Sequence, residues 1–381
     1  MLTLCVPTMN RPVFLARLLR YYATMRFPYP IAIGDSSDPD QAQHNQQTVA
    51  ALQGLLAIRY QYDPSLSACA CLERMSRVVT TPYCVFSGDD DFLCPTALER
   101  SIAFLEEHPD YGAAHGMGLM FQTEHNQPYG AIGNVGYYPQ AVLQADTGVG
   151  RLKEFFAVSQ YTLFYSVHRT TIWQAMFQGL SAMPGTRNRN IFKDELIAVG
   201  VSVIRGKVQQ LSELSLIHQV HEDSYRFPHV YDWLTDPAWF PSYQVFHERL
   251  VEELVRQDGV PIEDARVVIR EVFWPYLAAQ VIKAWKIDTT ARVAPSRSAL
   301  RRFARRLPGA RRTWRAVRAA VQRARDPWSL PALRHPTSTD HAAFMPVYRL
   351  VTSTPTEPLN GEDPRAHTPE AVGSDAVVGV G

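Results

Sequence analysis

Short apolar runs alternate with amphipathic stretches over the first 110 residues of the chain. This alternation predicts β-strands and α-helices that follow each other in turn and stack on a parallel sheet. Four such units come in succession. The predicted strands are Leu2–Val6, Ile31–Gly34, Leu55–Tyr60 and Tyr83–Phe86, and the predicted helices are at Phe14–Tyr22, from Asp38 onward, at Leu66–Val79 and at Pro95–Glu107.

The pattern is less regular after this part. Residues 123–150 form a polar insertion rich in Gly, Asn and Tyr, which we interpret as a loop or a small lid. From Val230 to Lys286 the apolar positions recur at intervals of three and four, which predicts helices. The other expected strands are Tyr111–Phe121, Thr162–Val167 and Val208–Val220, and the other expected helices are Arg151–Ala157, Thr170–Phe177 and Phe192–Val199.

The composition is that of a soluble globular chain: of 381 residues, 46% are hydrophobic and 20% are charged. That length allows one large domain or two ordinary ones. The formal net charge of +1 excludes a uniformly basic nucleic-acid binder. No run of 18 apolar residues is present, and no basic stretch precedes an apolar one at the start, so we expect neither a membrane span nor a signal peptide.

The five cysteines are odd in number and none belongs to a Cys-x-x-Cys pair. Neither a disulfide framework nor a zinc knuckle is therefore expected. A reducing compartment suits this use of cysteine, so we expect a cytoplasmic protein.

One segment departs from the balanced charge of the whole chain. Between Asp288 and Asp326 there are twelve arginines and no acidic residue. Residues 297–325 read as a basic amphipathic helix, which suits peripheral contact with an anionic membrane at the inner face of the cytoplasmic membrane. An acidic patch on a partner and a solvated helix face are the alternatives. Nucleic acid is not expected, because no recognisable nucleic-acid module accompanies the charge.

Three adjacent aspartates, Asp89, Asp90 and Asp91, come directly after the fourth predicted strand. The carboxyl ends of parallel strands are where open α/β sheets bind ligands. Alternation along an extended segment would put Asp89 and Asp91 on one side, where both could bind one divalent cation. The alternative is that the aspartates cap the next helix, although a cap needs only one of them.

Two further polar loops follow the first and second strands. The loop Pro7–Arg11 offers backbone amides and a cation to a nucleotide, and Asp35 offers an acceptor to a base or a ribose. Each loop alone could be an ordinary connection with turn-forming residues. Because three polar loops converge on one edge of the sheet, a ligand site is the better interpretation.

The segments LTLCVPTMNR, IGDSS and FSGDDDFLCP resemble family 2-like glycosyltransferases of the GT-A fold, over about residues 1 to 220. The resemblance implies an α/β fold of the GT-A type, a Rossmann-like αβα sandwich of nucleotide-diphospho-sugar transferases, here with a helical C-terminal extension. It also implies transfer of a sugar from a nucleoside-diphosphate sugar, a UDP-sugar being favoured, to a glycan or lipid-linked acceptor. Mg2+ or Mn2+ is the implied cofactor.

The resemblance also implies roles for individual residues. The nucleotide-sugar would contact Pro7, Thr8, Asn10, Arg11, Asp35, Asp89 and Asp90, and the metal ligands would come from Asp89, Asp90, Asp91 and His221. Gly88 stands where commoner members have an aspartate, so which of the three aspartates binds the metal stays open. His218 is the alternative to His221, and both histidines could be structural.

An acidic pair, Asp194 and Glu195, resembles the family's acidic element at the start of a helix. Asp194 would be the general base of an inverting transfer, with Glu195 as its substitute. The alternative is that both side chains only stabilise a helix N-terminus through its dipole.

We expect a GT-A domain over residues 1–225, a helical extension over 226–290, an Arg-rich amphipathic segment over 291–328 and a largely disordered tail over 329–381. Two other functions remain open. One is a catalytically silent protein that binds a nucleotide or a sugar, and the other is a sugar-nucleotide nucleotidyltransferase. The nucleotidyltransferase would need a Gly-rich loop with Arg and Lys after the first strand, and Pro-Thr-Met-Asn-Arg is a different sequence.

Overall fold

The structure is a computed structural model that describes residues 1–64, 66–158, 163–183, 190–222, 224, 229–291 and 328–353. The strands are β1 (Leu2–Thr8), β2 (Ile31–Asp35), β3 (Ile58–Tyr62), β4 (Tyr83–Phe86), β5 (Phe92–Leu93), β6 (Tyr111–Thr123), β7 (Ile132–Tyr138), β8 (Val167–Arg169) and β9 (Lys207–Gln219).

The helices that the structure describes alternate with these strands and then continue alone. They are α1 (Pro12–Thr24), α2 (Pro39–Leu52), α3 (Ala68–Val78), α4 (Pro95–Glu107), α5 (Gly148–Val158), α6 (Thr170–Phe177), α7 (Ile197–Arg205), α8 (Val230–Thr235), α9 (Trp239–Asp258), α10 (Ile262–Ala291), α11 (Leu330–Leu333) and α12 (His341–Thr352). A π-helical turn, Phe192–Leu196, leads into α7.

Proline marks the start of three of the first four helices. Pro12, Pro39 and Pro95 each stand in the first turn of their helix. Proline suits this place because its missing N–H group has no partner there in any helix and its φ angle is already helical. Helix α3 has no such proline, and Ser67 caps it instead by accepting a hydrogen bond from the backbone N–H of Ala70.

The strands form one mixed sheet in the order β3-β2-β1-β4-β8-β6-β9-β5, with β7 paired to β6. The first four strands in this order are parallel to one another. Strand β8 is antiparallel to β4 and to β6. The chain leaves β1 for β2 on one side and reaches β4 on the other, so the strand order reverses between β1 and β4.

Helices cover both faces of this sheet. One apolar cluster contains inward side chains of α1, α2 and α4, and the other contains those of α3 and α5 to α7. Neighbouring residues of one strand enter different clusters, as Leu4 and Cys5 do in β1, because side chains alternate along a strand. The fold class predicted from the sequence, an αβα sandwich with a helical C-terminal extension, is confirmed.

The C-terminal helices belong to the two cores of the sandwich. Phe246 of α9 and Phe273 of α10 are fully buried in the same cluster as Trp173 of α6. On the opposite face, Phe344 of α12 is buried in the cluster that contains α1. Our expectation of a largely disordered tail over 329–381 is therefore wrong for α11 and α12, because α12 has apolar side chains at helical spacing that pack on the sandwich. Residues 354–381 lie outside the described residues.

Three local expectations also differ from the structure. Strand β3 starts at Ile58 instead of Leu55. The insertion 123–150 contains β7, which forms an antiparallel hairpin with β6 where we expected a loop or a lid. Strand β8 starts at Val167, where the expected strand ends, and residues 159–162 lie outside the described residues. The Arg-rich segment 292–327 lies outside them as well.

Among the described helices, each one is too short or too polar to cross a lipid bilayer. All five cysteines are buried and free of disulfide bonds.

Candidate functional site

The three polar loops meet where β1 and β4 end, at the reversal of strand order. Ligands of open α/β sheets bind in the crevice at such a switch point. The hydroxyl of Thr8 donates a hydrogen bond of 2.7 Å to Oδ2 of Asp89 and so joins the loops after β1 and β4. The backbone N–H of Asn10 donates to Oγ of Ser37 at 2.7 Å and joins the loops after β1 and β2. The sequence correctly predicted that these loops converge.

The aspartates lie on a tight turn. The backbone N–H of Asp91 donates to the carbonyl of Gly88 at 3.3 Å, so the segment after β4 is not extended. Our prediction that Asp89 and Asp91 lie on one side is therefore wrong, because a turn abolishes the alternation of a strand. Asp89 and Asp90 share one partner, Arg11, whereas the hydrogen bonds of Asp91 go to other residues.

Glycine at position 88 allows this turn to close. A Cβ atom on Gly88 would lie 2.5 Å from Oδ1 of Asp90 and 2.8 Å from Oδ2 of Asp91. The carboxylate of Asp90 is held by Arg11 and His221, so a shift of this group would weaken those contacts. An aspartate at position 88, as in the commoner members of the resembled family, would need a different arrangement of the turn.

Arg11 lies opposite the first two aspartates. Its Nη1 is 3.1 Å from Oδ1 of Asp89, and its Nη2 donates a hydrogen bond of 2.6 Å to Oδ2 of Asp90. The same Nη2 is 2.9 Å from Nε2 of His221, and that nitrogen is 2.8 Å from Oδ2 of Asp90. The ring of Phe14 stacks on the His221 ring, with centroids 4.6 Å apart, and the Arg11 guanidinium lies 4.5 Å from the Phe14 centroid.

Burial and nearby charges move the pKa values of the two aspartates apart. Burial raises the pKa of Asp89 to about 7, although the Arg11 charge opposes this, and the neighbouring Asp90 carboxylate adds to the increase. Burial also acts on Asp90, but the hydrogen bond to His221 and the charge of Arg11 outweigh it and hold that pKa well below its usual range. The two neighbouring carboxyl groups therefore differ in how readily they release a proton.

Asp91 has a separate set of partners. The hydroxyl of Tyr165 donates to its Oδ2 at 2.6 Å, and Nδ1 of His218 lies 2.7 Å from its Oδ1. The backbone N–H of Gln219 also donates to Oδ1, at 3.2 Å. Burial alone would lower the pKa of His218, but the Asp91 carboxylate outweighs it, so that pKa is raised. Asp91 therefore links the aspartate turn to the end of β9, and His221 rather than His218 contacts Asp90.

A fully buried arginine, Arg17, supports the turn from α1. Its Nη2 donates to the backbone carbonyl of Asp90 at 3.0 Å, and its Nη1 donates to Oε1 of Gln219 at 2.5 Å and to the carbonyl of Pro128. The guanidinium lies 4.9 Å from the centroid of Phe92. Burial lowers the pKa of Arg17 to about 10, which leaves the side chain a cation at neutral pH.

The loop after β2 is organised round Asp35, which is fully buried. Its Oδ1 accepts a hydrogen bond from the backbone N–H of Ser37 at 2.8 Å. Its Oδ2 accepts from Nδ2 of Asn45 at 2.8 Å and from the hydroxyl of Tyr60 at 2.5 Å. The carboxylate that we expected to meet a base or a ribose thus holds its own loop and two neighbouring elements together.

The acidic pair after residue 190 lies on the π-helical turn before α7. Oδ2 of Asp194 accepts a hydrogen bond from the backbone N–H of Asn190 at 2.9 Å. Burial raises the pKa of Glu195 to about 7, and the neighbouring Asp194 adds to the increase. Within the described parts of the chain, no hydrogen bond or ion pair joins this pair to the aspartate turn.

The carboxylate oxygens at the aspartate turn are of the type that binds a divalent cation. Mg2+ and Mn2+ prefer carboxylate oxygens, and one or two carboxylates together with phosphate oxygens are a common ligand set for Mg2+. Asp89 and Asp90 offer such oxygens side by side, and both face Arg11. Among the described residues, no group of three His, Cys, Asp or Glu side chains is arranged around one metal position. Asp89 and Asp90 could hold the cation, and oxygens of a bound diphosphate would add to its ligands.

No family model matches the chain, and no curated protein matches it. The solved structures that resemble it include Staphylococcus aureus TarS, residues 1–349, in complex with UDP-GlcNAc, with 15% identity, 71% of each chain covered and a TM-score of 0.48. They also include a mannosyltransferase from Pyrobaculum calidifontis in complex with GDP-Man and Mn2+, with 13% identity, 92% of this chain and 85% of that chain covered, and a TM-score of 0.39. No activity follows from likenesses at this level.

The structure brings most of the expected residues together at one edge of the sheet. Thr8, Asn10, Arg11, Asp89, Asp90, Asp91 and His221 lie in one network or its adjoining loop, and Pro7 pairs with Gly34 across β1 and β2. Sequence reasoning missed Arg17 and Tyr165. A signal for Arg17 was present, since this charged residue lies on the apolar face of α1 between Phe14 and Tyr21. Nothing in the sequence near Tyr165 pointed to Asp91.

Proposed function

We propose that this chain is a glycosyltransferase that moves a sugar from a nucleoside-diphosphate sugar to an acceptor hydroxyl. The observation that carries the proposal is the convergence of Thr8, Arg11, Asp89 and Asp90 at the switch point of the sheet. Carboxylates for a cation and a guanidinium for phosphate oxygens are what a diphosphate leaving group requires. The sequence resemblance of the same three segments to family 2-like glycosyltransferases supports it.

The chain's own residues suit three tasks in this reaction. Arg11 binds diphosphate oxygens, and its planar guanidinium can do so with two parallel hydrogen bonds. Arg17 and Gly88 keep the aspartate turn in place. A divalent cation, Mg2+ or Mn2+, when bound at Asp89 and Asp90 would neutralise charge that develops on the leaving diphosphate.

Proton removal from the acceptor hydroxyl is assigned to the pair Asp194 and Glu195. A base works best when its pKa is near the working pH, and burial raises the pKa of Glu195 to about 7. Asp194 accepts a backbone hydrogen bond from Asn190, which gives it a structural task as well. We therefore favour Glu195 as the base. Direct attack by the acceptor on the anomeric carbon would invert its configuration.

The test of this function is release of nucleoside diphosphate from sugar donors. Purified protein is incubated with UDP-, GDP- and TDP-linked sugars and Mn2+, with simple glycosides or lipid-linked sugars as acceptors. We expect one donor to be consumed and a product of inverted anomeric configuration to appear in the NMR spectrum. If one nucleotide binds but no donor reacts with any acceptor or with water, the silent binding protein becomes the better account. Formation of a nucleotide-sugar from a sugar phosphate and a nucleoside triphosphate would favour the nucleotidyltransferase.

We also propose that residues 297–325 bring the protein to an anionic membrane surface. In support, α10 precedes this segment in the sequence and carries exposed apolar side chains on one side, namely Val267, Trp274 and Ile282, which are 42%, 46% and 51% exposed. Aromatic side chains with basic neighbours suit the lipid headgroup region. Sedimentation with vesicles of 30% phosphatidylglycerol tests this: we expect binding that 0.5 M NaCl abolishes and that pure phosphatidylcholine does not support.

A further inference from the structure

The guanidinium of Arg11 faces the two carboxylates that the proposed function assigns to the metal. Its two terminal nitrogens are 3.1 Å from Oδ1 of Asp89 and 2.6 Å from Oδ2 of Asp90. The chain thus supplies a positive charge of its own to this pair. A divalent cation shared by the same oxygens would come close to the guanidinium, and like charges repel strongly where water is scarce.

Each of the two carboxylates has a second partner besides Arg11. Asp89 also accepts a hydrogen bond from Thr8, and Asp90 also contacts His221 at 2.8 Å. Both carboxylates are nearly inaccessible to solvent, whereas the side chain of Arg11 is 21% exposed. Arg11 is therefore the member of this cluster that has room to move, while the carboxylates stay in place.

We propose that Arg11 is an internal cation that keeps the metal out of the donor-free site and turns to the diphosphate when the nucleotide binds. This inference rests on the proposed function, since it assigns Asp89 and Asp90 to the metal. The negative diphosphate attracts the guanidinium and frees the carboxylates. The metal then enters together with the nucleotide, and the free protein binds metal weakly.

The test measures Mn2+ binding to the protein in the absence of nucleotide, by the electron paramagnetic resonance signal of free Mn2+. Arg11→Met removes the charge and keeps an unbranched stem that can pack on Phe14. We expect this variant to bind Mn2+ at least about tenfold more tightly than the unaltered protein, which corresponds to about 1.4 kcal/mol. Arg11→Lys keeps the positive charge, so its affinity stays near that of the unaltered protein.

Two controls make the result specific. Arg20→Met makes the same substitution within α1, the helix that follows Arg11, away from the aspartates, and leaves Mn2+ affinity unchanged. Arg11→Gln removes the charge but keeps hydrogen-bond donors, and we expect it to increase Mn2+ affinity as much as Arg11→Met does. This variant keeps the test valid if the methionine variant does not fold. Equal Mn2+ affinity for the unaltered protein and the neutral variants would overturn the inference.

A second series adds UDP, GDP or TDP. For the nucleotide that binds, we expect its addition to raise Mn2+ affinity more in the unaltered protein than in Arg11→Gln. Only the unaltered protein has a guanidinium that the nucleotide can draw away from the carboxylates. If none of UDP, GDP and TDP binds, with or without Mn2+, the proposed function itself fails. If a nucleotide binds while Arg11 has no influence on the metal, only the present inference fails.

Discussion

Two carboxylate-bearing turns of this molecule balance their charge in different ways. At the turn after β4, Asp89 and Asp90 face Arg11, and Asp91 faces His218 and Tyr165. At the turn before α7, Glu195 makes no hydrogen bond or ion pair within the described residues, and burial raises its pKa to about 7. The carboxylates of the first turn thus have cationic or hydrogen-bonding partners, whereas Glu195 has none among the described residues.

This difference separates two tasks that a transfer reaction needs. Asp89 and Asp90 meet the Arg11 cation, so this turn can hold a charged donor. Glu195 has no such partner among the described residues, and its raised pKa lets it take up and release a proton near neutral pH. Asp194 lies between these cases, since a backbone N–H donates to its carboxylate. The two turns can therefore be tested separately, one by donor binding and the other by the rate of transfer.

The largest expected effect is at the charged turn. Replacing both Asp89 and Asp90 with asparagine removes the anionic ligands of the cation, so transfer and Mn2+-dependent nucleotide binding are both lost, by about 1000-fold or more. Titration calorimetry with nucleotide and Mn2+ measures the binding. Asp40→Asn, at an exposed position of α2, is the matched control and changes neither quantity. Unaltered nucleotide affinity in the double variant would contradict the assignment of this turn.

At the second turn, Glu195→Gln is expected to slow transfer by about 100- to 10,000-fold, which is the range for removal of a general base. Nucleotide affinity stays within about twofold, because the nucleotide and its diphosphate are assigned to the turn after β4. Parallel measurement of kcat and of nucleotide affinity separates the two effects. A comparable loss of both quantities would show that the two turns do not act separately.

The raised pKa of Glu195 also predicts how stability depends on pH. A carboxyl whose pKa is higher in the folded state stabilises the protein below the pKa of the unfolded chain, and this contribution is lost as pH rises through about 7. The free energy of unfolding of Glu195→Gln should therefore exceed that of the unaltered protein at pH 8, by about 3 kcal/mol at most, but not at pH 4. Urea denaturation at both pH values measures this, and an equal difference at both would count against the burial of an ionisable group.

The smallest expected effect comes from Tyr165→Phe. This change removes one of three hydrogen bonds to Asp91 and should cost about 1 kcal/mol of stability. Transfer should fall less than tenfold, since Asp89 and Asp90 keep their partners. Tyr137→Phe, at an exposed tyrosine, is the control. A loss of transfer as large as that of the double aspartate variant would give Asp91 a direct part in binding.

The sequence was most informative where local patterns decide the structure. The four βα units, the places of Thr8, Arg11 and Asp90 and the convergence of their loops follow from apolar periodicity and from the topology of parallel sheets. The side on which each aspartate lies did not follow, because a single turn bond from Asp91 to Gly88 decides it.

Contacts between distant segments were hidden from sequence reasoning. Tyr165 reaches Asp91 across 74 positions, and Arg17 reaches Gln219 across 202. In the sequence, the residues of α12 belong to a segment rich in proline and small residues, which predicted disorder. In the structure, Phe344 of this helix packs in the core beside α1. Such contacts depend on the tertiary arrangement, and no short-range pattern announces them.

The central claim is that the turn after β4 binds a nucleoside diphosphate together with a divalent cation. Its most direct measurement is the thermal unfolding midpoint with UDP, GDP or TDP, each with and without Mn2+, for the unaltered protein and for the double variant Asp89→Asn, Asp90→Asn. A ligand that binds only the native state raises this midpoint. We predict a rise for one nucleotide that requires both Mn2+ and the two aspartates. A rise of the same size in the double variant, or none for any nucleotide, would contradict the claim.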